Sequence, residues 1–466
     1  MADEPGTAPS RFVFVRLAVR LVAVTAAIVF AGWLFFGYTP PKRQTLPGRQ
    51  RVIFWHMWTS NWADVVNRIV DRFNRSQDRY EVVPLIVPPT SGSLKTLIAS
   101  VGGDAPDCMG QWDPVIPAWV ERGALTPLEE LMTPKEWQDV RYRMYPAVRE
   151  IGTYKGHFYG LSTGMNIWAI YYRPSHFLEA GLDPNRFPET LEELESLADR
   201  LYRYDAAGRL LRIGFLTEWL AQWIAVFGGS LYDPQTNRLT LCHPRNIEAL
   251  AWLTRHSDRY GFERLLQFRA GLPSTFAADW PFLSGAYSIV VDGQWRVEQL
   301  RQYGPEVDYR TVPIPPPRGG QPLACWSNGN FMIIPRTARN KEGAMAFIRF
   351  WSGVDDPHRA AEFYTWGGWL PIVPEITEAP AYQDYLRKFP EFRTFVKIMA
   401  SPNVQVSPPT PVQAYLMNRL SWAEDAARRG VLSPRQALEQ VAGDVDRELA
   451  NFLLSRETDR QNAKTP

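Results

Sequence analysis

The sequence predicts an α/β fold in two lobes, preceded by one N-terminal transmembrane helix. Three observations carry this reading. At 466 residues the chain is too long for a single core. After residue 50 its apolar segments alternate between strand and helix periods. Ahead of them lies an apolar run without charge.

That run extends from Leu21 to Pro41, with Arg11, Arg16 and Arg20 before it. About 20 apolar residues span a bilayer, and this stretch just reaches that length. It closes Gly32-Trp-Leu-Phe-Phe-Gly-Tyr38, a poor signal-peptide cleavage site and a good aromatic interface anchor. The expectation is an uncleaved signal-anchor over 21–41 with residues 1–20 cytoplasmic. Lys42, Arg43, Arg49 and Arg51 follow it, so flanking charge orients it weakly. The polar, proline-containing residues 42–50 form the linker.

Beyond the linker, Arg51 to His56 is a short buried-type strand. Trp62, Val65, Val66, Ile69, Val70 and Phe73 then recur at helical spacing, with Ser60 or Asn61 as N-cap. Tyr80 to Val87 is a second strand whose Pro84 marks an edge or bulge. Ser93 to Val101 is a helix stopped by Gly102-Gly103, and Asp107 to Gly110 a third strand. Further strands are Asn166 to Tyr172, Tyr287 to Val291 and Asn330 to Ile334. Helices cover Thr190 to Tyr204, Pro244 to Tyr260, Gly293 to Tyr303 and Lys341 to Trp351. The last 130 or so residues carry helical periodicity, and 456–466 is a charged, frayed tail.

Composition narrows the function. Net charge is +2 with both signs interspersed, so no basic stripe invites nucleic acid. Cys108, Cys242 and Cys325 lie far apart without metal-ligand spacing; one disulfide or three buried thiols would fit. Six scattered histidines contain no HxxxH pair, so no metal or cofactor is expected. The 18 tryptophans suit either a large core or an aromatic binding surface.

Ligands of open α/β sheets bind beyond the carboxyl ends of strands. Three loops meet that description: Trp58-Thr59-Ser60, Trp112-Asp113 and Asp292-Gly293-Gln294-Trp295. Each couples an indole with a hydroxyl or carboxylate, the pair that stacks on a sugar's C–H face and binds its hydroxyl rim. Asp113 before Pro114, and Asp292 before Gly293, would serve equally as helix caps. Trp326, Asn328 and Asn330 form a polar-aromatic patch around Gly329. Trp366-Gly367-Gly368-Trp369 sets two indoles about a glycine pair that suits close backbone approach better than helix. Trp219 and Trp223, at i and i+4 beside Gln222, are a stacking pair or a core face. Trp168 and Tyr171 read as structural strand residues.

Several segments in one order resemble the extracellular solute-binding proteins of family 1, the maltose-binding-protein group. They are Phe54-Trp-His-Met-Trp58, Gly103-Asp-Ala-Pro-Asp107, Tyr287-Ser-Ile-Val-Val-Asp-Gly-Gln-Trp295, Trp326 to Pro335, Lys341 to Trp351 and Gly367-Gly-Trp-Leu-Pro371. The likeness runs from about Val52 to Phe452. It implies a periplasmic-binding-protein-like clamshell, or Venus flytrap, with discontinuous lobes crossed three times. Lobe 1 would hold 51–112 and 293–335, and lobe 2 would hold 113–292 and 336–455.

The implied role is the extracellular or periplasmic component of an ABC importer. It would capture a mono- or oligosaccharide as a monomer and deliver it to two permease subunits with a separate ATPase. Expected ligand contacts are Trp58, Thr59, Asp113, Trp223, Asp292, Trp295, Trp326, Asn330, Trp366, Gly368 and Trp369. A retained membrane helix departs from most relatives, which are soluble or lipid-anchored.

Three alternatives remain at this stage. Asp113 and Asp292 across a cleft could make a glycosidase pair, though no catalytic motif accompanies them. A tethered sensor needs the same clamshell. Binding of a glycerol phosphate would want arginine at the strand-end loops, and their tips carry none.

Overall fold

The computed structural model describes residues 22, 25, 26, 46–87, 105–112, 115–273 and 280–462. The chain divides into two units, Met1–Arg49 and Gln50–Pro466. Among the described residues no helix is long and apolar enough to cross a membrane. The expected signal-anchor over 21–41 lies outside them save for three positions, as do the expected helix from Ser93 to Val101 and Asp113.

The strands in chain order are β1 (Gln50–His56), β2 (Tyr80–Ile86), β3 (Cys108–Trp112), β4 (Thr153–Tyr154), β5 (His157–Phe158), β6 (Gly160–Asn166), β7 (Trp168–Tyr172), β8 (Arg203–Tyr204), β9 (Leu210–Leu216), β10 (Tyr232–Asp233), β11 (Arg238–Leu239), β12 (Tyr287–Gly293), β13 (Arg310–Val312), β14 (Cys325–Ile333) and β15 (Val404–Val406). They form two main sheets. The first runs β15-β14-β3-β1-β2, with β6 also paired to β14; the second runs β13-β7-β12-β9-β8.

In the first sheet β1 pairs β2 and β3 in parallel, and β14 returns antiparallel to β3 and β6. Val52, Phe54 and His56 alternate into the core, as a strand's two-residue period requires. Pro84 sits on the edge strand β2, where a missing N–H costs no ladder bond. The Ser60–Ser76 helix buries Val65, Val66, Ile69, Val70 and Phe73 along the predicted stripe. Asp107 ties this layer together. One carboxylate oxygen accepts from Ile53 N at 2.8 Å, and the other from Arg339 N and Asn340 N at 2.9 and 2.8 Å.

All five residues of β7 are buried, and the second sheet is covered on both faces. Ile170, Tyr172, Phe215 and Ile289 pack with apolar residues of the Pro244–Tyr260, Gln413–Arg428 and Pro434–Asn462 helices. On the other face Tyr171 meets Trp280, Phe282 and Phe395.

Strand pairing and helix packing redraw the expected partition. β6, expected in the second lobe, is hydrogen-bonded to β14 of the first sheet. The Lys341–Ser352 helix also belongs there, with Phe347 and Trp351 on Phe54 at 5.2 and 6.1 Å. Conversely β13, expected in the first lobe, pairs β7. Amphipathic periodicity gives the buried face of an element but not which sheet it covers. The expected frayed tail is also corrected: the helix Pro434–Asn462 runs through most of it, and Arg456 is ion-paired to Glu121. All three cysteines are unpaired; Cys108 and Cys325 are buried, whereas Cys242 is exposed.

Candidate functional site

Three segments pass between the two sheets close to one another. β6 enters β7 through Ile167, β12 leads through Gln294 into the Trp295–Tyr303 helix, and β14 begins beside β7. Uncharged amide side chains stitch them. Gln294 Oε1 accepts from Ile167 N at 3.0 Å, and its Nε2 donates to Met165 O and Asn166 Oδ1 at 3.2 and 3.1 Å. Asn166 Nδ2 donates to Asn328 Oδ1 at 2.7 Å, and Ser327 Oγ to Asn166 O at 2.9 Å.

Tryptophans gather on either side of this crossing. On the first side Trp58 lies 5.3 Å from Trp351 and 6.1 Å from Trp369, with Trp351 and Trp369 at 5.6 Å. Trp58 and Trp369 are buried, and Trp369 packs on Gly164 of β6. His56 lies under Trp58 at 5.9 Å, and burial lowers its pKa to about 4 against an opposing backbone contact at Trp58.

On the second side Trp168 is the hub of a four-indole cluster. Trp219, Trp295 and Trp326 surround it at 5.5, 5.6 and 5.2 Å. Gly164 and Trp168 are four residues apart on extended chain, so the two clusters flank about 13 Å of backbone. Trp295 folds back over the end of β12, where a Cβ on Gly293 would lie 2.0 Å from its ring. Trp326 N donates to Gln222 Oε1 at 3.2 Å. Trp326 Nε1 and Gln222 Nε2 are buried with no hydrogen-bond partner among the described residues.

The loop between β9 and the Leu220–Val226 helix decides between Trp219 and Trp223. Trp219 takes a left-handed backbone, φ 72° and ψ 81°, and the residue is 45% exposed. Trp223, the predicted contact, is fully buried between Phe215 and Trp252 and belongs to the core. The pair looked equivalent at i and i+4, but Trp219 precedes the helix and leaves the helical face.

Each charge near the second cluster has a partner. Asp292 accepts from Gly293 N and from Arg296 Nε, both at 2.8 Å. Burial raises its pKa, against Arg296 and the Gly293 N–H, so this carboxylate is already engaged. Glu218 is paired with Arg269, and burial raises its pKa against that cation.

The other predicted residues are dispersed. Thr59 is exposed and makes no side-chain cap bond. Asn330 is half-buried on β14, and its carbonyl accepts from Ser162 Oγ at 3.1 Å. Trp366 stacks under Arg68 at 3.9 Å rather than joining either cluster. Gly367 ends the Pro357–Gly367 helix, and Gly368 caps it at φ 61°. The glycine pair is therefore a helix stop, contrary to its expected role, and it turns Trp369 into the first cluster. A groove of about 1220 Å³ lies apart from both clusters, lined by Glu121, Arg149, Tyr154, Tyr232, Arg238 and Asp446 among others. It carries mixed charges and no indole.

Residues 68–390 match the bacterial extracellular solute-binding protein family, well over half the chain. The chain belongs to this family. Among family relatives, the maltotriose-binding protein of Pyrococcus abyssi is 23% identical over 344 residues, covering 72% of this chain and 69% of that protein. The sn-glycerol-3-phosphate-binding periplasmic protein UgpB of Salmonella typhimurium is 22% identical over 354 residues, covering 72% and 77%. Solved structures share the fold. The cyclic alpha-maltosyl-1,6-maltose binding protein from Arthrobacter globiformis has a TM-score of 0.72 at 21% identity, covering 87% of this chain and 100% of that one. CpMnBP1 with mannotriose bound has a TM-score of 0.71 at 24% identity, covering 84% and 99%.

Proposed function

We propose that this solute-binding protein is the extracytoplasmic capture component of an ABC importer for an uncharged oligosaccharide. It has no chemistry of its own. The observation that carries the reading is the four-indole cluster on Trp168, with Trp219 held exposed beside the crossing of the two sheets. Indole faces stack on the C–H faces of sugar rings. Trp219, Trp295 and Trp326 contact ligand from the second sheet's side, and Trp58 and Trp369 back the opposing wall.

The two lobes are built on the two sheets and close by rotation about the amide-stitched crossing. The closed form delivers sugar to the permease subunits, and the apolar run 21–41 tethers the protein to the membrane. The glycerol-phosphate-binding relative supplies the competing reading. A phosphate recruits uncommitted arginine, whereas Arg269 and Arg296 are both committed to carboxylates. That favours a neutral ligand.

The test is thermal unfolding of the full-length protein with maltotriose, mannotriose and sn-glycerol 3-phosphate. A ligand at 100 times its Kd stabilises by about 2.7 kcal/mol. A shift with either trisaccharide supports the reading; a shift with the phosphate alone overturns it.

A further inference from the structure

We infer that the buried Arg428–Glu424 pair is a positioning device that holds Trp219 in its left-handed conformation and so presents the indole to ligand. The inference rests on the oligosaccharide reading for its purpose, though not for its geometry. Non-glycine residues seldom adopt such a backbone, and they persist there only when their surroundings over-determine it. At Trp219 the surroundings are specific. Arg428 Nη1 donates to Thr217 O at 2.9 Å and Nη2 to Thr217 Oγ1 at 3.2 Å, two residues before the strained position. Glu424 Oε2 accepts from Leu220 N at 2.9 Å, one residue after it.

The pair is itself fixed. Arg428 Nη1 donates to Glu424 Oε1 at 2.6 Å, and Arg428 Nε to Ser257 Oγ at 2.6 Å. Their side chains are 7% and 11% exposed. A buried ion pair is weak evidence for stability, and breaking one partner leaves an uncompensated buried charge. Here both partners grip the same four-residue segment, Thr217 to Leu220, from one turn of the Gln413–Arg428 helix. The loop's remaining carbonyls are also used: Glu218 O accepts from Trp223 Nε1 and Trp219 O from Gln222 N, both at 2.8 Å. With its flanks pinned, the Trp219 side chain rests on Trp168 and stays exposed rather than turning into the core behind it.

Two measurements test this in the full-length protein. In 5-fluorotryptophan-labelled protein, the 19F resonance missing from Trp219→Phe is assigned to Trp219. It should be single and shifted between H2O and D2O, as an exposed indole is. In Glu424→Gln, which keeps the shape but loses the charge, that resonance should broaden or split while the others hold. Should Glu424→Gln not fold, Thr217→Val removes one Arg428 contact and should show the same change, smaller. An unaltered Trp219 resonance overturns the inference, whether or not any sugar binds.

The second measurement is a double-mutant cycle on maltotriose or mannotriose affinity. Glu424→Gln should weaken binding about tenfold with Trp219 present and little in a Trp219→Ala background. Equal weakening in both backgrounds overturns the positioning role. Absence of trisaccharide binding by the unaltered protein counts against the ligand reading alone, and the fluorine spectrum then decides the positioning.

Discussion

Trp219 and Trp223 separate what an indole does in a core from what it does at a site. Trp219→Gly removes a half-exposed ring and also frees a left-handed backbone, a strain worth about 1 kcal/mol. Its unfolding midpoint should therefore stay near or above that of the parent while trisaccharide affinity falls at least about tenfold. Trp223→Ala should instead lower stability by about 3–5 kcal/mol in denaturant titration, because the ring is wholly enclosed. Neither outcome was legible from spacing alone, since i and i+4 promised one shared face. The unfavourable φ of a bulky residue leaves no trace in the sequence. His56 gives the pH prediction. Burial lowers its pKa from 6.5 to about 4, so between those values the unfolded chain binds the extra proton. Stability should fall as pH drops from about 6.5 toward 4, and His56→Phe should reduce that slope without abolishing it, because burial lowers the pKa of His176 to about 4 as well. Urea titrations across that range check it.

Several helices and strands follow the sequence reading. The helix expected from Thr190 to Tyr204, however, ends at Ala198, and Arg203–Tyr204 is a strand paired to β9. The helical spacing of Leu191, Leu194 and Ala198 does not reveal that switch. The Ser60–Ser76 and Pro244–Tyr260 helices and the edge position of Pro84 follow from periodicity and proline chemistry. The Gly367-Gly368 step was misread because the same residues that let a backbone approach a ligand also end a helix. Its structural role is testable. Gly368 sits at φ 61°, and a Cβ there would come within 2.3 Å of Glu298 Cγ. Gly368→Ala should therefore lose about 2 kcal/mol of stability from strain and displacement together, read as a lowered thermal midpoint. The tryptophan-bearing loops were recognised as strand-end features; which indoles cluster depends on strand crossings that no local pattern encodes.

At the scale of the whole molecule, the C-terminal helix ties the two sheets' surroundings together. Its Leu438, Val441 and Val445 belong to the second sheet's core. Its far end pairs Arg456 with Glu121 and sets Phe452 against Arg122 at 4.9 Å. Burial alone would raise the pKa of Glu121, but Lys155, the Tyr154 hydroxyl at 2.8 Å and Arg456 outweigh it and hold it low. Arg456→Met should lower stability by about 1–2 kcal/mol, and a cycle with Glu121→Gln should return a coupling near that value. Additive effects would mean the strap carries no load. The two-sheet α/β architecture was foreseeable from the resemblance; the division of helices between sheets and this strap were not. The crossing itself is built from Asn166, Gln294, Asn328 and Ser327, groups that neither titrate near neutrality nor attract counter-ions. In the hinge motion proposed above, a crossing of that make carries no charge for salt to screen, so added salt acts on the rest of the molecule and not on the crossing.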